Sequence, residues 1–164
     1  MWGCVRTSSA AYLLAALLSV WAATSAAAGD APRRVVSINL CTDQLAMLLA
    51  ADGQLHSVSH IARDPRMSAM VEQARDYVIN HGRAEEIYMM RPDLVLAGPY
   101  TSRATTAMLE RLGIPVAVIP VANTLADVRT GLLRMGAALH REATAREMAR
   151  KFDTRLARLR QEVR

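Results

Sequence analysis

Four histidines, His56, His60, His81 and His140, are the side chains most able to ligate a metal or move a proton near neutral pH. Their spacing gives no metal-ligand pattern with a cysteine or a carboxylate. His60 stands out because it follows an apolar run and could approach a metal-bearing ligand; the alternative is a solvated loop histidine. Cys41 reads either as a thiol facing a cleft or as a small residue near a helix start. Tyr100 offers an aromatic face with a hydroxyl, which suits a macrocycle or a catecholate, or else it packs on the helix that follows it. The sequence has no Gly-x-Ser-x-Gly elbow, Gly-x-Gly-x-x-Gly turn or phosphate loop, which argues against hydrolases and nucleotide binders. No nucleophile is paired with a base, so the chain is not read as an enzyme, and no cofactor or structural metal is called for. The nine methionines read mostly as helix-face core filler and not as copper ligands.

The elements that must position these groups alternate. Residues 85–100 hold the clearest unit: a short helix carrying Ile87 and Met90 stops before Pro92, and Leu94, Val95, Leu96 and Ala97 then form a continuous apolar run broken by Gly98 and Pro99. Such a run is a strand buried on both faces of a parallel sheet. Strands are expected at 34–38, 55–59, 94–97 and 115–119. Helices are expected from a cap at Thr42, Asp43 and Gln44 with Leu45, Leu48 and Leu49 inward, at 66–74, at 84–90, at 103–112, from a cap at Asn123 and Thr124 to about His140, and at 142–164. Residues 77–83 read as irregular, with Asn80, His81 and Gly82 as turn material. The fold class is therefore α/β, a parallel four-stranded sheet flanked by helices plus a long C-terminal helix. In such sheets ligands gather beyond the carboxyl ends of the strands. That edge collects Asn39, Leu40, Cys41, His60, Ile61, Gly98, Pro99, Tyr100 and Pro120 as candidate ligand-binding residues.

The first 28 residues read as a secretory signal peptide: Arg6 ahead of an apolar stretch, then small residues ending at Ala28. The stretch is shorter than the ~20 residues a bilayer requires, so the chain is not expected to span a membrane after signal removal. Cys4 precedes the apolar stretch, which argues against a lipoprotein anchor. Signal removal leaves Cys41 as the single cysteine, hence no internal disulfide. It also lowers the net charge from +5 to +4. Eight of the basic residues lie between Arg141 and Arg164 with only Phe152 among them, so they read as a solvated helix face and nucleic acid is not an expected partner.

Three stretches carry a resemblance. Arg33 to Ile38 (Arg-Arg-Val-Val-Ser-Ile), Ala84-Glu85-Glu86-Ile87 followed by Arg91-Pro92-Asp93-Leu94-Val95-Leu96-Ala97, and Leu109-Glu110-Arg111-Leu112-Gly113-Ile114-Pro115-Val116 recur here in order. Together they resemble the amino-terminal lobe of the periplasmic substrate-binding proteins that serve ABC importers of cobalamin, ferric siderophores and haem. The resemblance implies an extracytoplasmic, two-lobed protein with ligand held between the lobes. Residues 29–141 would be the first lobe and 142–164 the start of the helix joining the two, with the second lobe absent because the chain is a fragment or a truncated product. It implies a metal-chelate ligand and ABC permease subunits as partners, with Glu85 at the position of a glutamate that docks to the permease. The loop after the first strand departs from the Ser-Pro-Ser-Ala-Thr-Glu often found there, so ligand contacts do not transfer to Asn39, Leu40 and Cys41. The competing reading is an exported enzyme on a similar α/β scaffold, which would depend on His60 or Cys41.

Overall fold

The computed structural model describes residues 30–163, so the expected signal peptide lies outside the described residues. Five strands form one wholly parallel sheet: β1 (Val35–Ser37), β2 (Leu55–Ser59), β3 (Val78–Asn80), β4 (Leu94–Ala97) and β5 (Val116–Val118). Among the described residues five α-helices accompany them: α1 (Leu40–Leu49), α2 (Ala84–Met89), α3 (Arg103–Arg111), α4 (Leu125–Ala138) and α5 (Glu142–Glu162). The strand order is β3-β2-β1-β4-β5. The chain winds outward from β1 through β2 to β3, then returns to lay β4 on the other side of β1. The order therefore reverses between β1 and β4, where open α/β sheets place their ligand crevice.

Side-chain alternation along the strands builds two cores. Val35, Leu94 and Leu96 point to the face covered by α1, α4 and α5, where Leu49, Leu132, Met135 and Leu139 fill the space. Val36, Val95 and Ala97 point to the other face and pack on Ile87 of α2 and Leu109 of α3. Every residue of β4 is buried, as its unbroken apolar run predicts. The two helices α4 and α5 approach closely because Gly136 has no Cβ: one placed there would collide with the Ala145 methyl.

The sheet has one strand more than expected. Residues 78–80 read as irregular because only two of them are apolar and Val78 is exposed; β2 pairs with them along the sheet edge, and that pairing makes the strand. The helix expected at 66–74 is replaced by turns and a single 3-10 turn at Gln73–Asp76. Here side chains take the backbone groups a helix would use: Asp64 accepts from the Arg66 N–H at 2.9 Å and buried Ser68 accepts from the Met70 N–H at 3.1 Å. The first helix starts earlier than expected, with Asn39 as its cap and Leu40 and Cys41 already helical, and it ends at Leu49. Its buried face is Thr42, Asp43, Ala46 and Leu49, and Leu48 faces solvent. The amino-terminal half of α5 packs through Ala145 and Ala149, while Leu159 and Val163 are exposed.

Candidate functional site at the carboxyl edge of the sheet

Because all five strands run the same way, their carboxyl ends share one edge. The segments there carry Asn39 and the first two residues of α1, Leu40 and Cys41, after β1, His60 and Ile61 of a 3-10 turn after β2, His81 and Gly82 after β3, Gly98 to Tyr100 after β4 and Pro120 after β5. All nine expected ligand-binding residues thus lie on this rim. Asn39, Leu40 and Ile61 are half-buried, Gly98 is buried, and Cys41, His60, Pro99, Tyr100 and Pro120 are exposed.

Asn39 and Gly98 meet where β1 and β4 diverge. The Asn39 Oδ1 accepts from the Cys41 N–H at 3.0 Å and so caps α1. A Cβ on Gly98 would stand 2.9 Å from Asn39 Cγ, so only glycine lets the cap keep its place. The Gly98 N–H donates to Thr101 Oγ1 at 3.0 Å and its carbonyl accepts from the Thr101 N–H at 3.1 Å, which closes the loop beneath Pro99 and Tyr100. Tyr100 is 87% exposed and does not pack on α3, so the helix-packing alternative for it falls. Cys41 is an exposed residue in the first turn of α1.

A buried polar layer lies under the β1, β2 and β3 loops. Asp43, on the first turn of α1, accepts from the Ser59 N–H at 3.2 Å and the Ser59 hydroxyl at 2.5 Å. Burial pushes its carboxyl up to about 6, against the opposing pull of the Ser37 and Ser59 hydrogen bonds and the neighbouring His60. The Ser37 and Thr42 hydroxyls are 2.7 Å apart. Fully buried Asn80 donates to the Ser37 carbonyl at 2.9 Å and to Ser57 Oγ at 2.8 Å, and accepts from the Gly82 N–H at 3.1 Å. Its side chain thereby ties β3 to β1 across β2.

Above this layer two imidazoles stack. The rings of His60 and His81 lie 5.1 Å apart between centroids and 21° from parallel. Glu86 of α2 holds His81 twice, accepting from its backbone N–H at 2.8 Å and contacting Nδ1 at 3.2 Å. Burial raises the Glu86 carboxyl, but the hydrogen bonds and charge of His81 outweigh it and hold the group below its ordinary value. Sequence reasoning singled out His60 and missed His81, Glu86 and Asn80. The available signal was the Asn-His-Gly triplet after Val78 and Ile79, which marks the end of a short strand as well as it marks a turn. His56 and His140 lie away from the rim. His56 sits inside β2 with Arg34 Nη2 at 2.9 Å from Nε2, and burial followed by the Arg34 charge lowers its pKa. His140 lies in the turn between α4 and α5 with φ of 55°. Glu85 is exposed in the first turn of α2. Among the described residues no group of three or more His, Cys, Asp or Glu side chains could hold a metal ion, and no helix is long and apolar enough to cross a membrane.

A single parallel sheet whose strand order reverses between β1 and β4 belongs to the open α/β class, in which ligand crevices lie at the carboxyl edge. The family model of periplasmic binding proteins matches residues 35–164, and the chain belongs to that family. Solved structures agree in fold. A periplasmic heme binding protein from Pseudomonas aeruginosa is 21% identical with a TM-score of 0.63, over 77% of this chain and 45% of that one. A possible iron-binding, periplasmic solute-binding protein from Staphylococcus epidermidis is 16% identical with a TM-score of 0.66, over 82% and 53%. A periplasmic vitamin B12 binding protein of Vibrio cholerae is 22% identical with a TM-score of 0.63, over 80% and 51%. The chain thus spans about half the length of these structures. No curated protein sequence matches it.

Proposed function

We propose that the chain is the amino-terminal lobe of the extracytoplasmic substrate-binding component of an ABC importer, and that its cargo is a metal chelate such as a ferric siderophore, cobalamin or haem. The observation that carries the reading is the family match over residues 35–164 joined to a sheet whose carboxyl ends bring nine candidate residues, eight of them exposed or half-buried, to one rim. A binding protein requires a rigid scaffold and loops that fit its ligand, and this lobe supplies both. In this reading residues 1–28 direct export and are removed, residues 29–141 form the lobe, and 142–164 begin the helix to a second lobe. The protein works by binding and release rather than by turnover. Asn39, Leu40, Cys41, His60, Ile61, Gly98, Pro99, Tyr100 and Pro120 form this lobe's half of the cleft. The Glu85 carboxylate, exposed beside Tyr88 and Met89, is the contact for arginines of the permease.

The test is a titration of the purified chain with cyanocobalamin, ferric protoporphyrin and a ferric siderophore, beside a version extended by a second lobe. The expected result is binding of one chelate by the two-lobed protein and weak or no binding by the short chain, since each lobe supplies about half the contacts. Micromolar or tighter binding by the short chain overturns the half-cleft reading, and no binding by either form overturns the choice of cargo. Reversal of charge in Glu85→Arg should leave chelate binding intact and weaken retention by the permease.

A further inference from the structure

We propose that His81 donates Nε2 to the metal centre of the cargo, as a single oriented imidazole ligand, and that the cargo is therefore a chelate with an exchangeable coordination position rather than a coordinatively closed one. The inference rests on the chelate-binding reading above and assigns the donor within it.

Three observations carry it. First, the tautomer is set. The Glu86 carboxylate can only accept at His81 Nδ1, 3.2 Å away, so Nδ1 bears the proton and the Nε2 lone pair is free. A carboxylate behind the far nitrogen of a metal-ligating imidazole is the arrangement that fixes ring orientation and raises donor strength. Among the described residues Nε2 has no hydrogen-bond partner, and the side chain is 58% exposed on the rim.

Second, the backbone beneath the ring is held on both sides. The residue before it, Asn80, is fully buried with three hydrogen bonds, and one of them comes from the Gly82 N–H just beyond. Glu86 takes the His81 N–H as well, and the His60 ring lies against the imidazole face. A solvated turn histidine needs none of these restraints.

Third, the donor count is one. Rings 21° from parallel with centroids 5.1 Å apart hold their nitrogens in separate, nearly parallel planes, so the pair does not converge on a common ion. No group of three candidate ligands exists among the described residues. Such a rim holds a bare divalent ion poorly, because structural and catalytic metal sites use three or four protein ligands. It suits a metal that arrives with all but one or two positions already filled, as in a metalloporphyrin or a corrinoid. Binding is then ligand exchange without redox change: the Nε2 lone pair forms a bond to the metal, a water leaves, and no proton need move.

The experiment mixes ferric protoporphyrin or aquocobalamin with an excess of the chain extended by a second lobe, and reads the absorption of either chelate and the electron paramagnetic resonance of the ferric one. The wild type should show an imidazole-ligated species. In His81→Ala that signature should be lost, and Glu86→Gln should weaken binding about 10- to 100-fold while keeping the signature. His140→Ala, at the turn between α4 and α5, should retain it. Zn²⁺ alone should bind no tighter to the wild type than to His81→Ala. An imidazole signature that persists in His81→Ala overturns the assignment, as does its absence in the wild type at excess protein. Circular dichroism of each variant separates ligand loss from unfolding. Chelate binding by the two-lobed protein without an imidazole signature would sink this inference and leave the proposed function standing; failure of every chelate to bind that protein would sink both.

Discussion

The rim has two unlike halves on either side of the point where β1 and β4 part. On the β2 and β3 side a layer of buried polar groups, Asp43, Ser57, Ser59 and Asn80, locks the loops from below, and Glu86 locks His81 from the side. On the β4 and β5 side Pro99, Tyr100 and Pro120 stand exposed above a small turn closed by Thr101. The first half fixes directional groups before any ligand arrives; the second offers adaptable apolar and aromatic surface. Fixed donors give a chelate its orientation, and adaptable surface gives contact area without a demand on geometry.

The sharpest way to break this contrast is Asn80→Leu. It leaves Ser57 Oγ, the Ser37 carbonyl and the Gly82 N–H without their partner in a dry layer, and it should cost about 3 kcal/mol of stability by denaturant titration. A loss below about 1 kcal/mol would show that water replaces the amide and that the half is not locked.

Asp43 adds a pH signature of similar size. Its carboxyl titrates near 6 in the fold against an ordinary value of 3.8, so the folded state holds the proton more tightly. Its stabilising contribution is therefore full below the ordinary value and is lost as the pH rises through the folded one. Between about pH 4 and pH 7 the wild type should lose on the order of 3 kcal/mol relative to Asp43→Asn, which keeps the shape and stays neutral. Parallel stability curves for the two proteins would contradict this.

At the junction of the halves, Gly98→Ala pushes a methyl against Asn39 and should release the cap of α1, at about 1 kcal/mol. Asn39→Ala should cost the same. The double variant should be no worse than either alone, and full additivity would mean that the two residues act separately. The smallest effect belongs to the adaptable half: Tyr100→Ala should change stability by less than about 0.5 kcal/mol, because the ring is 87% exposed, while lowering affinity for the chelate.

What the sequence revealed follows the same division. Leu94 to Ala97 announced a doubly buried strand because four apolar residues in a row admit little else between Pro92 and Gly98, and the parallel α/β class followed from that unit repeated. Those assignments already put Tyr100 and His60 on the rim. The third strand was hidden, since Val78, Ile79 and Asn80 owe their conformation to pairing with β2 rather than to any local pattern. With that strand went His81 and the role of Glu86, which looks like an ordinary acid at a helix start until the fold brings His81 against it. The expected helix at 66–74 failed for a different reason: Asp64 and Ser68 bond to local N–H groups, a competition that helical periodicity does not register.

The central claim is that the carboxyl edge of the sheet is the ligand-facing jaw. Amide chemical shifts of the chain, followed while ferric protoporphyrin or aquocobalamin is added, test it directly and remain informative at weak affinity. The account predicts the largest changes at Cys41, His60, His81, Gly82, Gly98 and Tyr100. Changes concentrated instead at Gln54, Leu139 and His140, or along the exposed end of α5, would contradict it.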